Sequence, residues 1–203
     1  MTRGFGPLLA LVLATGIGAL AWVTEGFRVV TSEGARELAV ERDPQTVPDV
    51  RLVDQDGNVF SLGDYRGRPV LVEFIYTRCP TLCGVLGDDF RQVLALTDGT
   101  AADRGINLLS ISFDPEHDDR QALQLYGERY SATTPCWRIA VPADRRGLAA
   151  LLQRFGVVVI PDGLGGFVHN GAVYLVDPRG SLARIIDPET PPQQIAAALR
   201  TVR

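Results

Sequence analysis

Apolar residues run without a charge from Gly4 to Thr24, and residues 7 to 23 are almost wholly hydrophobic. A run of about 20 such residues is long enough to cross a bilayer as a helix. Arg3 and the free amino terminus precede it, which favours a cytoplasmic start and export of the chain beyond the run. Ala19-Leu20-Ala21 has the small-x-small form of a cleavage site, so a cleaved signal peptide competes with an uncleaved anchor, which the length of the run favours. No cysteine closes the run, which excludes a lipoprotein anchor. Both remaining routes place the rest of the chain outside the cytoplasm.

Residues 25–47 mix charges with small residues, and Pro44 and Pro48 mark the end of the stretch. Apart from a weak apolar patch at 35–40 no period is sustained, so a linker is expected. From Asp49 the pattern becomes globular. Residues 50–53 and 59–62 flank Asp56-Gly57 and predict an opening β-hairpin. The nearly continuous apolar run 70–76 predicts a central strand covered on both faces. Phe90, Val93, Leu94 and Leu96 carry helical spacing, 106–113 predicts a second buried strand, and 118–130 a helix starting near Asp118 or Asp119. Next come a short strand at 137–141, a helix at 145–155 and an extended piece at 156–160. Residues 172–176 and 182–186 flank Asp177-Pro178-Arg179-Gly180 as a hairpin, and Pro191-Pro192 open a last helix over 193–202. Strands and helices alternating in this order imply an α/β fold with helices on both faces of a mixed sheet, a thioredoxin-like layout over 48–203.

Hydrophobic residues at 46% and charged residues at 22% are ordinary for a chain that packs a core. A net charge of −4 gives no basic face for nucleic acid, so that class of partner is not expected.

Among 203 residues there are three cysteines, Cys79, Cys83 and Cys136, and two histidines, His117 and His169. Cys79 and Cys83 fall just after the central strand and at the start of the next helix, where ligands gather in open α/β sheets. Side chains four apart on a helix share a face, and the positive helix end favours thiolate over thiol. Two soft sulfurs suit Cu(I) or zinc, and an imidazole would complete the set. His169 precedes strand 172–176, which this layout puts beside the central strand. From the residues alone three readings stay open for the pair: a structural disulfide, thiol redox work, and a metal site. His117 sits among acids and is expected in solvent; Cys136, next to Trp137, is expected as a buried, inert thiol.

The segment Phe74-Ile75-Tyr76-Thr77-Arg78-Cys79-Pro80-Thr81-Leu82-Cys83 resembles the signature of the SCO/SenC family of copper-binding, cytochrome c oxidase assembly proteins. Ser110-Ile111-Ser112-Phe113-Asp114-Pro115-Glu116-His117-Asp118 is similar to that family's second strand and its loop. Trp137-Arg138, and His169 ahead of Val173-Tyr174-Leu175-Val176-Asp177-Pro178-Arg179-Gly180, come in the family's order. Thr81 stands where the family usually has an acid, Gly84 where it has a proline, and His117 where arginine is common. The resemblance covers about residues 48 to 202 together with the N-terminal anchor. It implies a thioredoxin-like fold, copper ligation by Cys79, Cys83 and His169, and delivery of Cu(I), with Cu(II) left open, to the copper-bearing subunit of cytochrome c oxidase, with other copper chaperones as partners. It places the chain in the inner membrane by a single pass (residues 1–24), its C-terminal domain facing the periplasm or another extracytoplasmic side. The competing function is a thiol-disulfide oxidoreductase in which Cys79 attacks a partner disulfide and Cys83 resolves it. A peroxidase fits poorly, since the threonine is misplaced relative to Cys79.

Overall fold

The computed structural model describes residues 5–24, 31–79, 82–97, 107–132 and 136–202. The chain forms two compact units, one ending at Arg42 and one starting at Asp43. The first contains α1 (Phe5–Val23) and α2 (Ser32–Arg42). α1 is long and apolar enough to cross a membrane. The Thr15 and Thr24 hydroxyls donate to Leu11 O and Leu20 O, each at 2.7 Å, so these polar groups are satisfied inside the helix, as a lipid setting requires.

α2 departs from the structureless linker expected over 25–47. None of its residues is buried, so no apolar stripe marks it in the sequence. It forms on local preference: Ala35, Leu38, Ala39 and the glutamates and arginines are strong helix formers. Thr31 Oγ1 accepts from Gly34 N at 3.0 Å at its start, and Glu33 pairs with Arg36 one turn on.

The second unit begins earlier than residue 48, because β1 (Gln45–Thr46) pairs with β10 (Ser181–Ile186) and joins the sheet. Between them lie β2 (Arg51–Asp54), β3 (Val59–Ser61), a 3-10 turn (Leu62–Tyr65), β4 (Val70–Ile75), α3 (Leu82–Leu96), β5 (Asn107–Ser112) and α4 (Arg120–Arg129). Then come β6 (Trp137–Pro142), α5 (Arg145–Phe155), β7 (Val159–Pro161), β8 (Phe167–His169) and β9 (Val173–Val176), and after β10 the chain closes with α6 (Pro192–Thr201). Eight strands form one sheet in the order β1-β10-β9-β4-β5-β6-β2-β3. β4, β5 and β6 are parallel, while β9 and β2 run antiparallel on either side of them. The predicted elements are all present, with ends shifted by a few residues.

Every residue of β4 and of β5 is buried, as strands covered on both faces must be. On one face Phe74, Phe155 of α5 and Tyr174 of β9 stack edge to face, with centroids 5.1–5.8 Å apart. On the other face Trp137 meets Phe90 of α3 at 5.7 Å. Asp119 caps α4 through Ala122 N at 2.9 Å, and Asp144 caps α5 through Gly147 N at 2.8 Å.

β7 and β8 stand outside this sheet as a separate two-stranded pair, with Val159 opposite His169. The sequence predicted an extended piece here but no partner strand. The pair is an arm that leaves the body after α5 and returns directly into β9.

Candidate metal centre

The carboxyl end of β4 runs into Tyr76, Thr77, Arg78 and Cys79 before α3 begins. Three donors converge on the buried Asp118 carboxylate: Thr77 N at 2.9 Å, Thr77 Oγ1 at 2.6 Å and Ser112 Oγ at 2.5 Å. This ties the cysteine loop to the end of β5. Arg78 Nη2 adds a bond to Asp114 Oδ2 at 2.9 Å, and Asp114 N donates to Ser112 Oγ at 3.0 Å. Asp118 therefore acts beyond the helix-start role the sequence suggested for it.

Cys79 precedes α3 and Cys83 lies in its first turn, so the pair does not share a helical face as the spacing suggested. Their sulfurs meet in another way: the Cys79 Sγ accepts from Cys83 N at 3.4 Å, taking the place of a helix cap. The hydroxyl of Tyr126 donates to Cys83 O at 3.2 Å and holds that turn from α4. α3 and α4 come close enough for this only because residue 87 is glycine; a Cβ there would lie 2.9 Å from the Tyr126 oxygen.

Burial corrects the expectation that both thiols favour the thiolate. The Cys83 thiol is 1% exposed, and loss of solvent pushes its pKa well above the usual range, with the Cys79 sulfur adding to the effect. Without a bound cation Cys83 stays protonated. The helix dipole is too weak to offset the desolvation.

His169 ends β8. Its Nε2 faces Cys83 Sγ at 3.7 Å, and its Nδ1 faces Asn170 O at 3.4 Å. A proton on Nδ1 directed to that carbonyl leaves the Nε2 lone pair toward the sulfurs, the orientation a metal-binding imidazole needs. Burial lowers the His169 pKa, which keeps the ring neutral. One donor atom each from Cys79, Cys83 and His169 lies within 4.8 Å of the other two. Two sulfurs and an imidazole match a soft cation such as Cu(I).

His117 is 54% exposed and its Nδ1 lies 2.8 Å from Asp114 Oδ1, away from this trio. Cys136 is buried in front of β6, and its carbonyl accepts from Leu108 N at 2.7 Å. No disulfide joins any of the three cysteines among the described residues.

Two further residues belong to the surroundings of the site and were not singled out in the sequence. Tyr76 packs against Phe113, Phe167 and His169. Glu73 is fully buried below the cysteine helix and takes a bond from Ser110 Oγ at 2.5 Å, which in turn accepts from Trp137 Nε1 at 2.9 Å. Burial pushes its pKa up to about 8, the Ser110 bond opposing and nearby Asp89 reinforcing the shift. The signal for Glu73 was available: it is the one acid inside the apolar run 70–76.

The family model described as SCO1/SenC matches residues 39–203. The chain belongs to the SCO1/SenC family. A SCO1 protein homolog of Bacillus subtilis (strain 168) is 26% identical over 133 residues, covering 64% of this chain and 68% of its own. The structure of Bradyrhizobium japonicum ScoI with copper bound superposes with a TM-score of 0.65 at 25% identity, over 78% of this chain and 99% of that one. BsSco, in a structure that identifies a disulfide switch in this member of the Sco family of cytochrome c oxidase assembly proteins, superposes at 0.64 with 24% identity, over 78% and 95%. These likenesses settle the SCO1/SenC fold as thioredoxin-like, as the sequence implied. The apolar α1 ahead of it has the character of an anchor or a signal segment.

Proposed function

We propose that this SCO1/SenC protein carries Cu(I) between the sulfurs of Cys79 and Cys83 and the Nε2 of His169, and hands it to the copper-bearing subunit of cytochrome c oxidase. The observation that carries this reading is the meeting of those three donors, and of no other histidine among the described residues, at one end of the sheet. Copper is the cargo here. Thiolates and imidazole bind it softly enough to exchange with a second soft site, so the ion need never be released free. Other copper chaperones are the natural source of the ion. Family membership and the copper-bound ScoI support the choice of metal over zinc.

In the same reading α1 is a single-pass anchor in the inner membrane, the stretch from residue 25 to 42 joins it to the domain, and the domain faces the periplasm. Arg3 on the amino-terminal side supports that orientation.

One observation favours a second role, thiol-disulfide exchange on cysteines of a partner protein. The pair is asymmetric: Cys79 is partly exposed with a backbone N–H at its sulfur, while Cys83 is buried and held as a thiol. That is the arrangement of an attacking and a resolving cysteine.

Anaerobic titration of the reduced full-length chain with Cu(I) tests the copper reading. A single tightly held equivalent is expected, lost in Cys83→Ser and weakened in His169→Ala. Stoichiometric binding that survives both changes overturns it. Disulfide reduction that persists in His169→Ala while oxidase maturation fails in cells would rank the reductase role second.

A further inference from the structure

His169 rides on an arm whose two strands share no ladder with the main sheet. Something must therefore fix where the imidazole stands, because an untethered ring gathered by the ion would lose ordering entropy on every loading. Tyr76 meets this requirement. It is the first residue after β4, three before Cys79, and its side chain is buried. Its hydroxyl reaches across to the arm and addresses both polar groups of one residue there, donating to Phe167 O and accepting from Phe167 N, each at 3.4 Å. Phe167 lies two residues before His169 on the same strand and the same face. The phenol ring stands edge to face with Phe167 at 5.3 Å and with the His169 imidazole at 6.2 Å, and Phe113 closes the group at 5.0 Å from the imidazole. The same hydroxyl interacts with the side chain of Cys79.

The arm is shaped to permit that approach. At its tip Asp162 Oδ1 accepts from Leu164 N at 2.7 Å and from Gly166 N at 2.9 Å, folding the loop back on itself. A Cβ at Gly166 would lie 2.7 Å from Asp162 Oδ2 and 3.3 Å from the Tyr76 oxygen. A side chain here would crowd both the loop carboxylate and the phenol.

We infer that Tyr76 is the positioning residue for His169: its hydroxyl fastens the β7–β8 arm to the end of the central strand beside Cys79, so that the imidazole is presented to the sulfurs before any ion arrives. This rests on the copper reading for its purpose but not for its geometry. The part of the effect of Tyr76 on copper that passes through His169 gives it a signature that a general packing role lacks.

The experiment is a double-mutant cycle on the reduced full-length chain, with Cu(I) affinity measured by competition with a chelator of known strength. Tyr76→Phe keeps the ring and removes only the hydroxyl. It should weaken Cu(I) binding about fivefold, the worth of a modest hydrogen-bonded contact, yet by less than about twofold once His169 is alanine. Amide exchange of the copper-free protein gives an independent readout: the Phe167 N–H should exchange about fivefold faster in Tyr76→Phe while the β4 amides keep their protection. Gly166→Ala, which pushes the arm off without altering Tyr76, should reproduce both effects. Equal loss in the two His169 backgrounds, or unchanged exchange at Phe167, overturns the assignment. Should the unaltered chain fail to bind Cu(I), the copper reading falls, and exchange at Phe167 still decides whether the phenol holds the arm.

Discussion

The two sides of the candidate site are built to different standards of rigidity. On the sulfur side, Cys79 and Cys83 lie just past a strand buried along its whole length. Asp118 takes two bonds from their loop, at 2.6 and 2.9 Å, and a third from Ser112 of β5 at 2.5 Å, and Tyr126 fixes the helix turn from behind. On the imidazole side, His169 sits on a separate pair of three-residue strands whose residues Ile160 and Val168, and Leu164 in the loop between them, are exposed. That arm is rooted by Asn170, which takes Val158 N at 2.7 Å and gives to Gly156 O at 3.0 Å, and by contacts among aromatic rings. A carrier needs such inequality. In the proposed function, a fixed pair of sulfurs would keep hold of the ion while His169, on a strand outside the main sheet, could be exchanged for a ligand of the receiver.

The largest effects should come from the donors themselves. Cys83→Ser should reduce Cu(I) affinity by on the order of a hundredfold or more, and His169→Ala by clearly less, because the two sulfurs remain. Equal losses would mean that the sulfur side holds the ion no more firmly than the imidazole side. Next is the clamp. Asp118→Ala deprives Thr77 N, Thr77 Oγ1 and the buried Ser112 Oγ of their acceptor, and should lower stability by about 3 kcal/mol in denaturant unfolding.

Glu73 yields a pH test of the rigid side. Its carboxyl titrates near 4.5 when exposed and near 8 in the fold. Between those values the unfolded chain gives up a proton that the folded chain keeps, so stability falls as pH rises through this window. Glu73→Gln should flatten that fall and raise stability at pH 7 by on the order of 2 kcal/mol. A wild-type stability that rises from pH 5 to pH 8, and does so because of Glu73, would reverse the sign and refute the dominance of burial. Smallest is the root of the arm: Asn170→Ala should take about 1 kcal/mol from overall stability, while exchange at Val158 quickens and the β4 amides stay protected.

The same inequality governs what could be read from the sequence. The strands 70–76 and 106–113 announced themselves by their mostly apolar runs, and the rule that a hairpin strand lies beside the central one was enough to bring His169 toward the cysteines. β8 was silent because three residues, Phe167-Val168-His169, are too few to establish a period. α2 was silent because a helix that buries nothing shows no stripe. The protonated state of Cys83 and the role of Tyr76 depend on what packs around them, and a one-dimensional spacing does not report that.

X-ray absorption of the reduced full-length chain loaded with one equivalent of Cu(I) bears most directly on the three-donor site. A first shell of two sulfurs and one nitrogen is expected, with the nitrogen lost in His169→Ala and both sulfurs kept. A shell without nitrogen in the unaltered chain, or one that His169→Ala leaves unchanged, would contradict the three-donor site.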